Sequence, residues 1–253
     1  MNSLQPGLHR KQQPKGFHGH VISELGRSIV SGAYPENSLL PRDAELQERF
    51  GVSRTVLREA LKTLAAKGMI QPKAKIGTRV LARKGWNLFD PDILQWHAEA
   101  GAIDAEFLFS LQEMRLALEP EAAALAALRR TDAQVAELFR WVGRMGDMTI
   151  TGAEFVEYDL RFHISVAEAS QNPFMRAISA LIEVALGATF TVSSPIPNTE
   201  KHKLNVERHR AIAEAIRIQD PIAARSAMRT VIMEGIGRVS EVTGKRPLTD
   251  LGA

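Results

Sequence analysis

The chain has 253 residues, of which 45% are hydrophobic and 6% aromatic, so its length fits one large domain or two modest ones. It contains no cysteine, which excludes disulfide bonds and thiolate chemistry, and no apolar run reaches the roughly 18 residues of a membrane span. The net charge of +3 conceals an asymmetry: residues 1–85 carry 15 Lys or Arg and 6 Asp or Glu, a balance of +9, whereas the remainder carries 17 and 23, a balance of −6.

This asymmetry predicts two parts with different partners. A basic N-terminal third suits a polyanion such as DNA, and an acidic remainder suits something else. The N-terminus lacks the apolar stretch of a signal peptide, so we expect a cytoplasmic protein with no membrane partner. Charged faces distributed by chance are the alternative explanation.

The N-terminal third is expected to fold as a winged helix-turn-helix over residues 17–82, preceded by a disordered tail at 1–16. Apolar side chains recur at helical spacing over residues 17–31, and a second short helix follows Pro41. This pattern supplies the supporting helices of a DNA-binding domain.

A tight turn and a recognition helix follow. Gly51 ends the second helix, and Ser53 is a good N-cap for a third helix with one apolar face. The helical period then stops, and Gly77 with the β-favouring residues 78–81 predicts a two-stranded wing.

Basic and hydroxyl side chains cluster where such a domain meets DNA. Arginine reads guanine bidentately, serine and threonine suit phosphates, and wing residues reach the backbone or minor groove. A solvated basic face on a small helical domain is the alternative. The predicted contacts are Arg42, Ser53, Arg54, Thr55, Arg58, Lys75, Gly77 and Arg79.

The rest of the chain is predicted to be helical, which makes the fold mainly α. Residues 83–90 are expected to be a linker, residues 91–242 a bundle of six or seven helices, and residues 243–253 a flexible tail. Asp90 and Pro91 open the first helix in the usual cap-then-proline manner. The predicted helices span residues 91–100, 104–129, 132–146, 151–170, 174–192, 200–219 and 221–242.

One group of residues in the bundle suits a divalent metal ion. Asp159 and His163 share a helix face at i and i+4, and His209 on a later helix can supply a third ligand. The alternatives are a surface pair for the first two and a core histidine for the third. Such a centre could also activate water or oxygen in an enzyme, but no neighbouring motif supplies a general base.

The N-terminal motifs resemble those of the GntR family of bacterial repressors. The matching stretches run Leu-Pro-Arg-Asp-Ala-Glu-Leu from Leu40, Phe-Gly-Val-Ser-Arg-Thr-Val-Leu-Arg-Glu-Ala-Leu from Phe50, and Leu-Ala-Ala-Lys-Gly-Met-Ile from Leu64. The chain departs from the family at Ala44, where an arginine is frequent, while Arg42 lies two residues earlier. The resemblance implies a DNA-binding transcriptional regulator that binds a palindromic operator as a homodimer.

The C-terminal part resembles the FCD effector domain of the FadR subfamily, and residues 86–96 are similar to the branch that controls D-galactonate operons. FCD domains commonly bind metal through one Asp and three His. Asp159, His163 and His209 match three of these positions, whereas Val231 stands at the fourth. The implied ion is Zn²⁺, with Ni²⁺ or Mn²⁺ as alternatives.

The same resemblance implies a pocket for a small carboxylate such as a sugar acid. Arg115 is implied as the clamp for the carboxylate, because a guanidinium fork suits that group. Asn172 occupies a loop and cap position, and the hydroxyl of Ser193 suits a polyol; both complete the predicted effector contacts. The expected function is an operon repressor released by this effector, with a metal-free regulator of an acyl or aromatic acid as the alternative.

Overall fold

A computed structural model describes residues 16–99, 105–192, 196 and 198–244, and it is mainly helical. These residues form two compact units, which divide near residue 103. Among the described helices, none is long and apolar enough to cross a bilayer.

The first unit contains three helices, a two-stranded sheet and a fourth helix. Its core packs Leu25 of the first helix, Leu46 of the second and Leu57 of the third, each at most 1% exposed. The elements are α1 (Gly16–Val30), α2 (Asp43–Phe50), α3 (Arg54–Ala66), β1 (Ile70–Lys73), β2 (Gly77–Val80) and α4 (Pro91–Glu99).

A sharp turn connects α2 to α3. Gly51 has φ 63° and ψ 35°, a left-handed conformation that glycine adopts without a steric penalty, and its N–H bonds back to carbonyls of α2. Ser53 then caps α3, accepting a hydrogen bond from the Val56 N–H at 3.4 Å. The predicted helix-turn-helix geometry is therefore present.

The wing is an antiparallel hairpin in which Ile70 pairs with Val80 and Lys73 with Gly77. Leu39 adds an isolated bridge to Arg79, so the segment before α2 extends the sheet. Ile70 and Val80 are at most 1% exposed, which fixes the hairpin on the core of the unit.

The structure places α4 in the first unit, which differs from the predicted start of the C-terminal bundle at residue 91. Ile93 and Trp96 join the core of the DNA-binding unit, and the Trp96 ring lies directly over Gly26 of α1. Lys67 also pairs with Asp90 at 2.7 Å, immediately before α4. Helical spacing predicted this helix correctly, but spacing alone does not show which core a helix joins.

The second unit is a helical bundle. Capping boxes at Thr131 and Thr151 begin two of its helices, and Asp220 followed by Pro221 begins the last. The predicted helix 174–192 is interrupted at Ile178. The elements are α5 (Ala105–Arg129), α6 (Asp132–Met145), α7 (Gly152–Ala169), α8 (Pro173–Ala177), α9 (Ser179–Val192), α10 (Thr199–Arg217) and α11 (Pro221–Thr243).

Within the bundle, α5 packs along α11 and α7, and α10 packs along α11 and α6. Phe155 and Phe162 of α7 are fully buried and form much of the apolar interior. Next to them lie buried polar side chains from α5, α7 and α10, which is unusual for a core and identifies the candidate site.

Candidate metal centre and DNA-binding surface

Three predicted ligands meet inside the bundle. Asp159 and His163 lie one turn apart on α7, His209 lies on α10, and all three side chains are buried. One ligand atom from each lies within 4.8 Å of the others. The i,i+4 pair is therefore an interior pair rather than a surface one.

The two imidazole rings point their Nε2 atoms at each other across 3.4 Å. His209 Nε2 also lies 3.1 Å from Asp159 Oδ1, and His163 Nε2 lies 3.7 Å from Oδ2. A common point between these atoms is the position that a metal ion occupies in sites with two histidines and one carboxylate.

Each of the two rings carries its hydrogen on Nδ1, the nitrogen on the side away from the other ring. Nδ1 of His163 lies 2.5 Å from Glu119 Oε2, and Nδ1 of His209 lies 2.8 Å from the Asn205 carbonyl oxygen. A carboxylate and a carbonyl only accept, so each Nδ1 carries the hydrogen and donates it. In neutral rings, both Nε2 lone pairs then face each other and Asp159.

This arrangement fits a divalent cation. Facing lone pairs repel in the absence of a positive charge, and Asp159 Oδ2 is buried with no hydrogen-bond partner among the described residues. One proton between His209 and Asp159 would satisfy one contact only, whereas a metal ion satisfies all three ligands. Nδ1–H donation to a carboxylate or carbonyl is also how metal-binding histidines are held in other proteins.

Glu119, a residue that the sequence analysis missed, supports His163. Burial by itself raises the pKa of Glu119, but the charge of Arg115, together with the hydrogen bond from His163, outweighs burial and lowers the pKa to about 2. The carboxylate is therefore ionised and orients His163. Burial likewise raises the pKa of Asp159, but its neighbours, His209 first among them, hold that pKa below its usual range.

Arg115 is engaged by Glu119. Its Nε lies 2.5 Å from Glu119 Oε1 and its Nη2 lies 3.4 Å from Oε2, while the side chain is 3% exposed. Its Nη1 donates to Gln112, and Gln112 in turn donates to Thr189 of α9. The fork that was predicted to clamp an effector is thus paired with a protein carboxylate.

The other predicted effector residues are placed as follows. Asn172 caps α8, its Oδ1 accepting from the Phe174 N–H at 3.0 Å, which is the capping role that its loop position suggested. Ser193 lies outside the described residues. Val231 is buried on α11 and offers no ligand atom at the position of the expected fourth histidine.

The predicted DNA contacts share the exposed surface of the first unit. Arg42, Arg54, Thr55 and Arg58 are exposed around the start of α2 and the first two turns of α3. The side chain of Arg58 is 67% exposed and only weakly paired, its Nε lying 3.6 Å from Glu59. Charges left facing solvent in this way can reach phosphates and base edges.

The wing contributes a second basic edge. Lys75 at its tip has φ 63° and is exposed, and Gly77 follows with φ 120°. Arg79 is half-buried in β2, with an Nε atom that has no partner among the described residues. The first unit therefore presents the helix-turn-helix and the wing that the sequence predicted.

Both units of the chain are similar to known protein families. Residues 18–80 match "Bacterial regulatory proteins, gntR family", and residues 110–233 match "FCD domain". The chain is 34% identical over 216 residues to the HTH-type transcriptional regulator YieP of Escherichia coli strain K12, covering 84% of this chain and 91% of YieP. It is 33% identical over 228 residues to the galactonate operon transcriptional repressor of the same strain, covering 88% and 96%.

The solved structure of Lar, which controls the expression of the Listeria monocytogenes agr system, has a similar fold. Its TM-score is 0.61 at 19% identity, covering 90% of this chain and 98% of that one. This likeness supports the fold alone.

Proposed function

The chain belongs to the GntR family of bacterial regulatory proteins and carries an FCD domain, and we propose that it represses a sugar-acid catabolic operon until a carboxylate effector binds at a divalent metal ion. As a family member it is a transcriptional regulator and not an enzyme, which removes the metalloenzyme alternative. The metal, the effector class and the homodimer are parts of the proposal.

The observation that carries the proposal is the convergence of His163 Nε2, His209 Nε2 and Asp159 on one point. These three residues would hold the ion, and Glu119 and the Asn205 carbonyl would orient the two rings. Bound there, a divalent ion supplies a Lewis-acid site for oxygen ligands. With Val231 at the fourth position, coordination sites remain for a ligand carboxylate or hydroxyl.

A sugar acid matches this chemistry and the relatives. The galactonate operon repressor is 33% identical to this chain over 228 residues, which cover 88% of this chain and 96% of that protein, so D-galactonate is the first effector to test. Binding of effector and operator would be linked. An effector that prefers the conformation with low operator affinity lowers the affinity for the operator, and the operator lowers the affinity for the effector by the same factor.

The proposal is tested in two steps. Selection from random double-stranded DNA should yield a palindromic operator, because two recognition helices of a homodimer read two half-sites. D-galactonate and related aldonates should then release that operator from the Zn²⁺-loaded protein. Absence of sequence preference over random DNA would refute the regulator proposal, whereas release that needs no metal would favour the metal-free alternative.

A further inference from the structure

The segment between the wing and α4 is fixed to the end of the recognition helix. Lys67, the C-cap residue of α3, accepts a hydrogen bond on its carbonyl oxygen from the Asn87 N–H at 3.0 Å. The two stretches of backbone touch one residue later, because a Cβ at Gly68 would lie 2.3 Å from the Gly85 carbonyl oxygen. The predicted linker at residues 83–90 therefore packs closely on residues 67 and 68.

The side chain of Lys67 also binds two carboxylates at the start of α4. Its Nζ atom lies 2.7 Å from each carboxylate oxygen of Asp90 and 2.7 Å from Asp92 Oδ2. An ammonium group has three hydrogens to donate, and three carboxylate oxygens surround this one. We call Lys67, Asp90 and Asp92 the corner lock, because they close the corner between α3 and α4.

The corner lock is shielded from water, unlike most pairs of lysine and carboxylate. The side chains of Lys67 and Asp90 are 12% and 16% exposed. Burial by itself lowers the pKa of Lys67, but the hydrogen bonds to Asp90 and Asp92 outweigh burial and hold that pKa above its usual value. The ammonium group therefore stays charged at neutral pH, and its ion pairs are screened less by solvent and salt than exposed pairs are.

Asp90 has a second role as the N-cap of α4. Its Oδ1 accepts hydrogen bonds from the Asp92 N–H at 3.0 Å and from the Ile93 N–H at 3.4 Å. Further along the same helix, Ile93 and Trp96 belong to the core of the first unit. The first turn of α4 is thus held by the corner lock and the rest by the core, so α4 cannot turn relative to α3 without breaking the lock.

The position of α4 in the chain gives the corner lock its significance. It is the last helix of the first unit before the chain enters the second unit. A displacement that passes along the chain from the second unit reaches α4 first, whereas Arg54 at the opposite end of α3 is exposed for contact with DNA. Rigid elements and ion-pair networks carry coupling between distant sites. The corner lock lies where movement of α4 becomes movement of α3.

Resting on the function proposed above, we propose that Lys67 is a positioning residue that couples effector binding to operator release through the corner lock. With the lock closed, α3 and α4 move as one body, so a change in the second unit alters how the recognition helices of a homodimer match two half-sites. With the lock open, α4 moves without α3, and the operator stays bound in the presence of effector. Lys67 acts in this way without contacting either ligand.

The coupling ratio tests this role. It is the Kd for operator in saturating D-galactonate divided by the Kd without it, measured by fluorescence anisotropy on the full-length, Zn²⁺-loaded protein. Lys67→Met keeps an unbranched side chain and removes the charge. We expect it to lower the ratio at least about fivefold, with effector-free operator affinity and calorimetric D-galactonate affinity each within about threefold of wild type. Lys67→Arg keeps the charge and should restore most of the ratio.

Asp90→Asn separates the lock from the helix cap. Asparagine caps helices as well as aspartate does, so α4 keeps its N-cap while Lys67 loses a charged partner, and the ratio should fall as in Lys67→Met. The matched control is Asp220→Asn, because Asp220 caps α11 in the same manner and is likewise followed by proline. Lys84→Met removes an exposed lysine from the segment before α4 and controls for net charge. Both controls should keep the wild-type ratio.

The outcomes separate this inference from a structural role and from the proposed function. A merely structural ion pair lowers the Tm when it is broken but leaves the coupling ratio unchanged. Release of the wild-type protein by D-galactonate, with an unchanged ratio in Lys67→Met and Asp90→Asn, overturns the inference and leaves the proposed function standing. An equal fall in Lys84→Met or Asp220→Asn also overturns it. Failure of D-galactonate to release operator from the wild-type protein overturns both.

Discussion

The Nε2 atoms of His163 and His209 lie 3.4 Å apart, while the Nδ1 atom of each ring donates to an oxygen on its other side. Neither ring can turn its hydrogen inward without losing a buried hydrogen bond. The centre is therefore organised around a positive charge, and the predictions below follow from that organisation and from the fold that holds it.

Removing one ligand should separate sensing from DNA binding. His163→Ala is expected to lose bound Zn²⁺ and the response to D-galactonate, yet to bind the operator like wild type, because the residue lies in the second unit. Metal content by atomic emission and operator binding by fluorescence anisotropy check both halves. His18→Ala, an exposed histidine on α1, serves as the control for metal content and should retain it.

The reverse separation is expected at the recognition helix. Arg54→Ala should weaken operator binding by about 1–3 kcal/mol, since the exposed arginine at the start of α3 is placed to read a base. Anisotropy titrations at several salt concentrations would measure it, and calorimetry should show unchanged aldonate binding. Equal affinity of Arg54→Ala and wild type for operator would contradict the assignment of this residue.

Glu119 is expected to strengthen metal binding although it is not itself a metal ligand. Replacement by Gln removes the negative charge that accepts the His163 Nδ1 hydrogen at 2.5 Å, and we expect Zn²⁺ affinity to fall roughly 10- to 100-fold. Chelator competition measures the change. Glu121→Gln, two residues along α5 and half-exposed beside Arg225, is the matched control; a loss of the same size there would point to a general charge effect.

The stability of the metal-free protein should depend on pH through Glu119. Its pKa of about 2 in the folded protein lies below the ordinary 4.5, so it stabilises the fold fully above pH 4.5. That contribution is lost as the pH falls from 4.5 towards 2, because the carboxylate becomes protonated. Tm values over this range in EDTA should fall more steeply for wild type than for Glu119→Gln, and parallel curves would contradict the account.

The close contact between α1 and α4 predicts a steric defect. A Cβ at Gly26 would lie 2.4 Å from Trp96 Cζ3, so Gly26→Ala should destabilise the first unit by about 1–3 kcal/mol. Gly143→Ala has open space on α6 and should instead stabilise by roughly 0.5–1 kcal/mol. Thermal unfolding followed by circular dichroism compares them. Recovery in Gly26→Ala combined with Trp96→Leu would identify the clash as the cause.

The fold could be predicted from sequence where the signal was local. Gly51 and Ser53 marked the helix-turn-helix, and the i,i+4 spacing of Asp159 and His163 predicted a shared face. Membership of α4 in the first unit could not be predicted, because apolar spacing around Trp96 is the same whichever core it joins. The break at Ile178 also lacked a glycine or proline to mark it.

The site was harder to predict because its support comes from distant residues. Glu119 lies 44 residues before His163, and its local signal was the i,i+4 spacing from Arg115, with which the structure pairs it.

The most direct test of the account is release of operator DNA by D-galactonate, followed by fluorescence anisotropy before and after metal removal. The account predicts release from the Zn²⁺-loaded protein, loss of release after EDTA with operator affinity preserved, and recovery when Zn²⁺ is restored. Release that is equally effective in EDTA would contradict the claim that Asp159, His163 and His209 hold a metal through which the effector is sensed.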